Sequence, residues 1–259
     1  MTPLALSHIF YRGRMWNGYS AAEHTSRGAA RNGIQHWSDR LVLRGVLVDL
    51  PAHHGVSSLD PGYAITADDL EEALSAQGCD LRPGDALLVR TGQTTERRGS
   101  RGDYAGGPAP GLSLHTAPWL YEWEIAAVAT DTWGVEVRPN ETDALQPLHL
   151  VALVHMGLAF GEMLGLDALA ADCAADRRYE FMLAASPLPI TGGCRNGRWP
   201  IPTGSGQRRS DGSSTSGPTV TRPSCSRTGP CPERAGSRTS GSTTSSMPLA
   251  PIAPATQWH

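Results

Sequence analysis

A chain of 259 residues is long enough for one large or two modest domains with a real core. Its 18% charged residues and formal net charge of −3 exclude the strong basic excess of a nucleic-acid or anionic-membrane binder. Five cysteines, odd in number and without CxxC spacing, offer no disulfide framework and fit a reducing cytoplasm. No apolar run reaches the roughly 18 to 20 residues that span a bilayer. Residues 1–11 lack the basic start and small-residue cleavage site of a secretion signal, so a soluble chain is expected.

In chain order, residues 1–19 enter apolar, strand-like or buried-loop sequence at once. Residues 20–37 are small and polar and predict loop with a short helix ending near Gly33. The leucine- and valine-rich run at 41–50 predicts a buried strand. Residues 61–78 predict a helix: Thr66 is a good N-cap, Asp68 and Asp69 sit where the helix dipole favours anions, Leu70, Ala73 and Leu74 form the apolar stripe, and Gly78 supplies the stop. A short strand at 86–90, a Gly/Pro-rich exposed loop at 99–110, a helix at 118–124 and a strand at 126–129 ending on Asp131 follow. Strands alternating with helices define an α/β fold.

Residues 147–162 set His149 and Glu162 at the two ends of an apolar run, with Leu150, Val151, Leu153, Val154, Met156, Leu158 and Phe160 between them. A helix, or a helix plus turn, would bring both groups to one rim of a core. A buried carboxylate there needs a cation or several donors, and an imidazole beside it suits zinc, manganese or iron. The plain alternative is a core helix capped by His149 with Glu162 in solvent. A helix at 166–175 and a strand at 179–184 complete the ordered pattern. From Gly192 to His259, Ser, Gly, Arg, Thr and Pro dominate without apolar periodicity, which predicts a low-complexity disordered tail, either an ordinary flexible one or out-of-frame text. The domain boundary is therefore placed at 191.

Taken together, SHIFYRGRMWNGY, RGVLVDL, PGYAITADDLE, PGDALLVRTG, APWLYEWEIAAV, TDTWGVEV and PLHLVALVHMGLAFGE resemble the cyclase family of metal-dependent hydrolases, which includes bacterial kynurenine formamidases and isatin hydrolases. The resemblance runs from Leu4 to Ile190. It implies a single α/β domain of swivelling β/β/α type, a divalent metal, zinc or manganese, a small amide or lactam substrate and a homo-oligomer. The family motif His-x-Gly-Thr-His-x-Asp-x-Pro-x-His supplies metal ligands and a final histidine for proton transfer. His8 matches that final histidine, while Leu4 stands at the aspartate position and Thr2 at the second histidine position; the first would precede Met1. His149 and Glu162 match the pair that completes the metal centre. The sequence thus looks N-terminally truncated, with a metal ligand set that is incomplete.

The expected function is hydrolysis of an amide such as N-formylkynurenine by metal-activated water, with His8 as proton carrier and His149 and Glu162 as ligands. The alternative is an inactive or fragmentary relative acting as a binding protein, its metal lost because two ligands hold an ion weakly. Among other polar residues, Asp131 reads equally as a functional side chain or a loop cap. Trp16 and Trp133 read as core before pocket lining, His53 and His54 as exposed, and His155 as a satisfied core histidine. Cys79 and Cys173 read as small buried hydrophobes or inert surface thiols.

Overall fold

The structure, a computed structural model, describes residues 2–97, 106–194 and 220–221. It opens with strand β1 (Thr2–Leu4), followed by 3₁₀ turns at Trp16–Gly18 and Ala21–Glu23, the hairpin β2 (His24–Thr25) and β3 (Gly28–Ala29), and a further 3₁₀ turn at Ile34–Trp37. Then come β4 (Val42–Asp49), α1 (Leu50–His54), β5 (Ala64–Ile65), α2 (Ala67–Gln77), β6 (Ala86–Arg90), α3 (Gln93–Glu96), β7 (Gly111–Leu112) and α4 (Ala117–Glu122). The remainder is β8 (Ala127–Thr130), α5 (Pro147–His149), a π-helix (Leu150–Met156), β9 (Ala159–Glu162), α6 (Asp167–Asp176), β10 (Glu180–Ala184) and β11 (Val220–Thr221).

The result is a mixed α/β domain around one seven-stranded sheet, ordered β1-β9-β8-β6-β4-β10-β11. The four inner strands β4, β6, β8 and β9 are parallel, and β1 and β10 flank them antiparallel. Alternation along β4 explains why Val46, Leu47 and Val48 are all apolar. Val46 and Val48 pack with α2 residues Leu70, Ala73 and Leu74 in one core layer, while Leu47 packs with Ala170 and Cys173 of α6 in the other. Helix α2 forms where its N-cap predicts: Asp69 N–H donates to Thr66 Oγ1 (3.2 Å) and Thr66 N–H to Asp69 Oδ2 (2.7 Å), a reciprocal capping box.

Two expectations need correction and a third is refined. The run 147–162, expected as a helix or a helix plus turn, winds one α turn, continues as a π-helix, turns at Gly157 (φ 68°) and leaves as strand β9. A Cβ at Gly157 would also meet the Trp16 ring at 2.6 Å, so only glycine closes this turn. His155 is exposed rather than core, its ring edge-on to Tyr11 at 5.5 Å, because the wider π turn keeps Ala152, Leu153 and Val154 inside and rotates the next residue out. Around Gly33 the 3₁₀ turn begins instead of ending, since the preceding small residues pair as the β2–β3 hairpin.

His54 is exposed and His53 partly so; Cys79 and Cys173 are buried. The 99–110 loop lies outside the described residues except for 106–110. So does the stretch from 192 onward, except for Gly192–Cys194 and the strand β11. Gly192, Gly193 and Cys194 belong to the packed unit through their carbonyls, which accept from Ala29 N–H (2.8 Å), Ile34 N–H (2.8 Å) and Ala5 N–H (3.0 Å). Among the described residues no helix is long and apolar enough to cross a membrane.

Candidate functional site

The parallel strands end at one edge of the sheet, and each delivers a polar group there: Asp49 from β4, Arg90 from β6, Asp131 just after β8 and Glu162 from β9. Open α/β sheets carry their functional side chains at this carboxyl edge. The groups are not equivalent. Arg90 donates to Asp49 Oδ1 (2.7 Å) and to Asp167 Oδ1 at the start of α6 (3.0 Å), tying strand ends to a helix. Asp131 accepts from Thr91 N–H (2.8 Å), Thr91 Oγ1 (2.7 Å) and Gly92 N–H (2.8 Å), so it caps the loop after β6. Burial pushes its carboxyl up to about 6, against these three donors, which pull it down.

Glu162 is different. It is 3% exposed, which rules out the solvent-facing alternative, and its Oε1 lies 3.3 Å from His149 Nε2. The sequence thus anticipated that these two residues meet, although by a helix and a strand and not by a helix alone. On the far side of the imidazole a third residue appears that sequence reasoning missed. Glu136 Oε1 stands 2.5 Å from His149 Nδ1, and the same carboxylate accepts Leu148 N–H (2.9 Å) and His149 N–H (3.4 Å). Those two amides lie in the first turn of α5, where backbone donors have no helical partner. Glu136 reaches them because the segment after β8 runs back along β7, with Leu112 N–H on Val135 O (2.9 Å) and Val137 N–H on Leu112 O (3.1 Å). Gly111 permits this approach, since a Cβ there would sit 2.4 Å from the Glu136 carbonyl carbon. The only sequence signal was an acidic residue inside the apolar Trp133–Val137 stretch.

Three ionisable side chains, none more than 4% exposed, therefore form a row: carboxylate, imidazole, carboxylate. Burial disfavours the charged ring, but hydrogen bonds to Glu136 and Glu162 outweigh it and raise the His149 pKa. Each nitrogen of the buried ring therefore faces one carboxylate oxygen. Two donors about 2.0–2.1 Å from one tetrahedral ion stand roughly 3.3 Å apart. His149 Nε2 and Glu162 Oε1 have that separation, so the pair fits two positions of a divalent centre.

The strand β1 carries the motif's aspartate and second-histidine positions, filled by Leu4 and Thr2. β1 pairs with β9 so that Thr2 lies opposite Glu162 and Leu4 opposite Phe160. Leu4, at the motif's aspartate position, is fully buried in the main core. Among the described residues no group of three or more His, Cys, Asp or Glu converges on one point. His8, half-buried, sits in the turn after β1 that its N–H closes onto Ala5 O (2.9 Å). Trp16 covers the turn at Gly157 instead of entering the core, and Trp133 is half-buried under the Arg138 guanidinium (4.8 Å) with its Nε1–H on Gly107 O (3.2 Å).

Residues 6–137, which include His8 and Glu136, match the Cyclase family model, described as "Putative cyclase", and the chain belongs to that family. The crystal structure of a novel cyclase is similar at 38% identity and a TM-score of 0.71, over 76% of this chain and 65% of that one. The chain thus spans just under two thirds of that relative's length. Isatin hydrolase A from Labrenzia aggregata, bound to benzyl benzoate, shares the fold at 18% identity and a TM-score of 0.55, over 75% of this chain and 68% of that one. Isatin hydrolase A from Ralstonia solanacearum does so at 18% identity and a TM-score of 0.56, over 75% and 67%. A search of curated proteins finds no match.

Proposed function

We propose that this chain is a metal-dependent hydrolase of its family, opening the amide or lactam bond of a small molecule such as N-formylkynurenine or isatin. The observation that carries the reading is the buried His149–Glu162 pair at the carboxyl edge, whose spacing suits a divalent cation. His149 through Nε2 and Glu162 through Oε1 would hold zinc or manganese, which when bound lowers the pKa of water toward neutrality and polarises the scissile carbonyl. The protein's own contribution is to bury both donors and clamp the ring edge-on against Phe160 (5.0 Å). His8 is assigned proton transfer to the leaving nitrogen from its imidazole.

A second reading is favoured by one specific residue. Leu4, packed in the core at the motif's aspartate position, withholds a ligand, and an inactive relative that binds amides without cleaving them would tolerate it. Metal content separates the two. The full chain, loaded with Zn²⁺ or Mn²⁺ and dialysed, is expected to keep close to one ion per chain, to lose it in Glu162→Gln and to hydrolyse N-formylkynurenine or isatin. Retention of no metal, with Glu162→Gln indistinguishable from the parent, would remove the hydrolase reading.

A further inference from the structure

We propose that Glu136 is a positioning residue, which holds His149 with its neutral-ring proton on Nδ1 and so presents an unprotonated Nε2 toward Glu162. The proposal rests on the hydrolase reading for its purpose but not for its test. The Nδ1 to Oε1 separation of 2.5 Å is a hydrogen bond, and an ionised carboxylate can only accept in it, so the ring nitrogen donates. Glu136 cannot easily move away. Its two oxygens are fixed by Leu148 N–H and His149 N–H as well, its backbone is hydrogen-bonded into the β7 segment on either side, and at 2% exposure water cannot replace it.

Flipping the ring would put a carbon against Glu136 and leave a buried carboxylate oxygen short of a donor, a state buried polar groups avoid. A histidine that serves a metal through one nitrogen is commonly oriented through the other by such a carboxylate. Here the orienting residue comes from a separate segment, 13 positions upstream in the chain, as Glu162 is 13 positions downstream.

The amide of glutamine makes the sharpest probe. Glu136→Gln keeps the shape but offers one acceptor oxygen to three donors, Leu148 N–H, His149 N–H and Nδ1–H. With its oxygen kept on Leu148 N–H, the shorter of the two backbone bonds, its NH₂ takes the place of Oε1, faces Nδ1 and turns that nitrogen into an acceptor, so the ring proton moves to Nε2 and points at Glu162. Glu136→Asp keeps a carboxylate and should keep the proton on Nδ1.

The test is two-bond ¹H–¹⁵N spectroscopy of the full chain labelled at histidine, at the alkaline end of its stable range, with His149 assigned by the loss of its signals in His149→Ala. The parent is expected to show a protonated Nδ1 and a bare Nε2, Glu136→Asp the same, and Glu136→Gln the reverse. Co²⁺ titration, followed by absorbance, should weaken about 10- to 100-fold in Glu136→Gln. A parent ring protonated on Nε2 overturns the proposal whether or not any variant folds. So does a folded Glu136→Gln with the parent's tautomer and cobalt affinity. If the parent shows the Nδ1 proton but binds no Co²⁺, the positioning role stands and the hydrolase reading fails.

Discussion

Two buried acidic sites sit on the same edge of the same sheet, and they are satisfied in opposite ways. Asp131 receives two backbone amides and a hydroxyl from Thr91 and Gly92, all neutral donors fixed by the loop after β6. Glu162 and Glu136 instead face the two nitrogens of one imidazole from separate segments. The first arrangement organises a loop. The second sets two carboxylates on one imidazole, with His149 Nε2 and Glu162 Oε1 spaced as two ligands of one ion. Burial of a carboxylate is therefore no guide to function by itself; the partners decide.

The largest effect expected from breaking this contrast comes from His149→Leu. It removes the central partner and leaves two buried carboxylates facing one another's field, which should cost about 3–5 kcal/mol and be visible as a much lower denaturation midpoint. A loss below about 1 kcal/mol would mean that the imidazole is not the partner the two carboxylates depend on.

Asp131→Asn comes next. An amide cannot accept both backbone donors as the carboxylate does, so the variant should lose about 1–3 kcal/mol in urea unfolding. Its pH dependence is sharper. The folded carboxyl, near 6, stands above the unfolded value of 3.8, so the folded state binds the extra proton between them. The stability this group contributes is fully present below about 4 and is lost as pH rises through 6, a swing on the order of 3 kcal/mol. The parent should consequently gain on Asp131→Asn as pH falls from 7 to 4. A gap that narrows on acidification would show that the three donors, and not burial, set the charge of Asp131.

The smallest effect serves as a control away from the edge. Thr66→Ala breaks the capping box of α2 and should lower stability by about 1 kcal/mol, without altering cobalt binding. A change in metal affinity here would mean that substitutions act through general loosening, and would blunt the comparison between the two acidic sites.

Much of the framework could be read from local signals, because those signals act over a few residues. Thr66, Asp69 and Gly78 specify a start and a stop for α2, and the apolar runs at 41–50 and 86–90 need two covered faces, as β4 and β6 have. The meeting of His149 and Glu162 was also foreseeable, since an apolar run with polar ends keeps its ends at a rim. How they meet was not foreseeable: apolar text of that length serves a helix or a strand equally, and a π turn moved His155 outside while Gly157 redirected the chain.

Glu136 was beyond local reading altogether. Nothing within its own stretch tells that the chain runs back along β7 and presents this carboxylate to the first turn of α5. By itself the sequence determined the alternation of strands and helices, the caps and the residues that must be buried, because propensity, periodicity and capping are short-range. Only the tertiary structure decided which buried acids share an imidazole and which share amides, because that depends on contacts between segments a dozen or more residues apart, set by strand order and by the few glycines that let backbones approach.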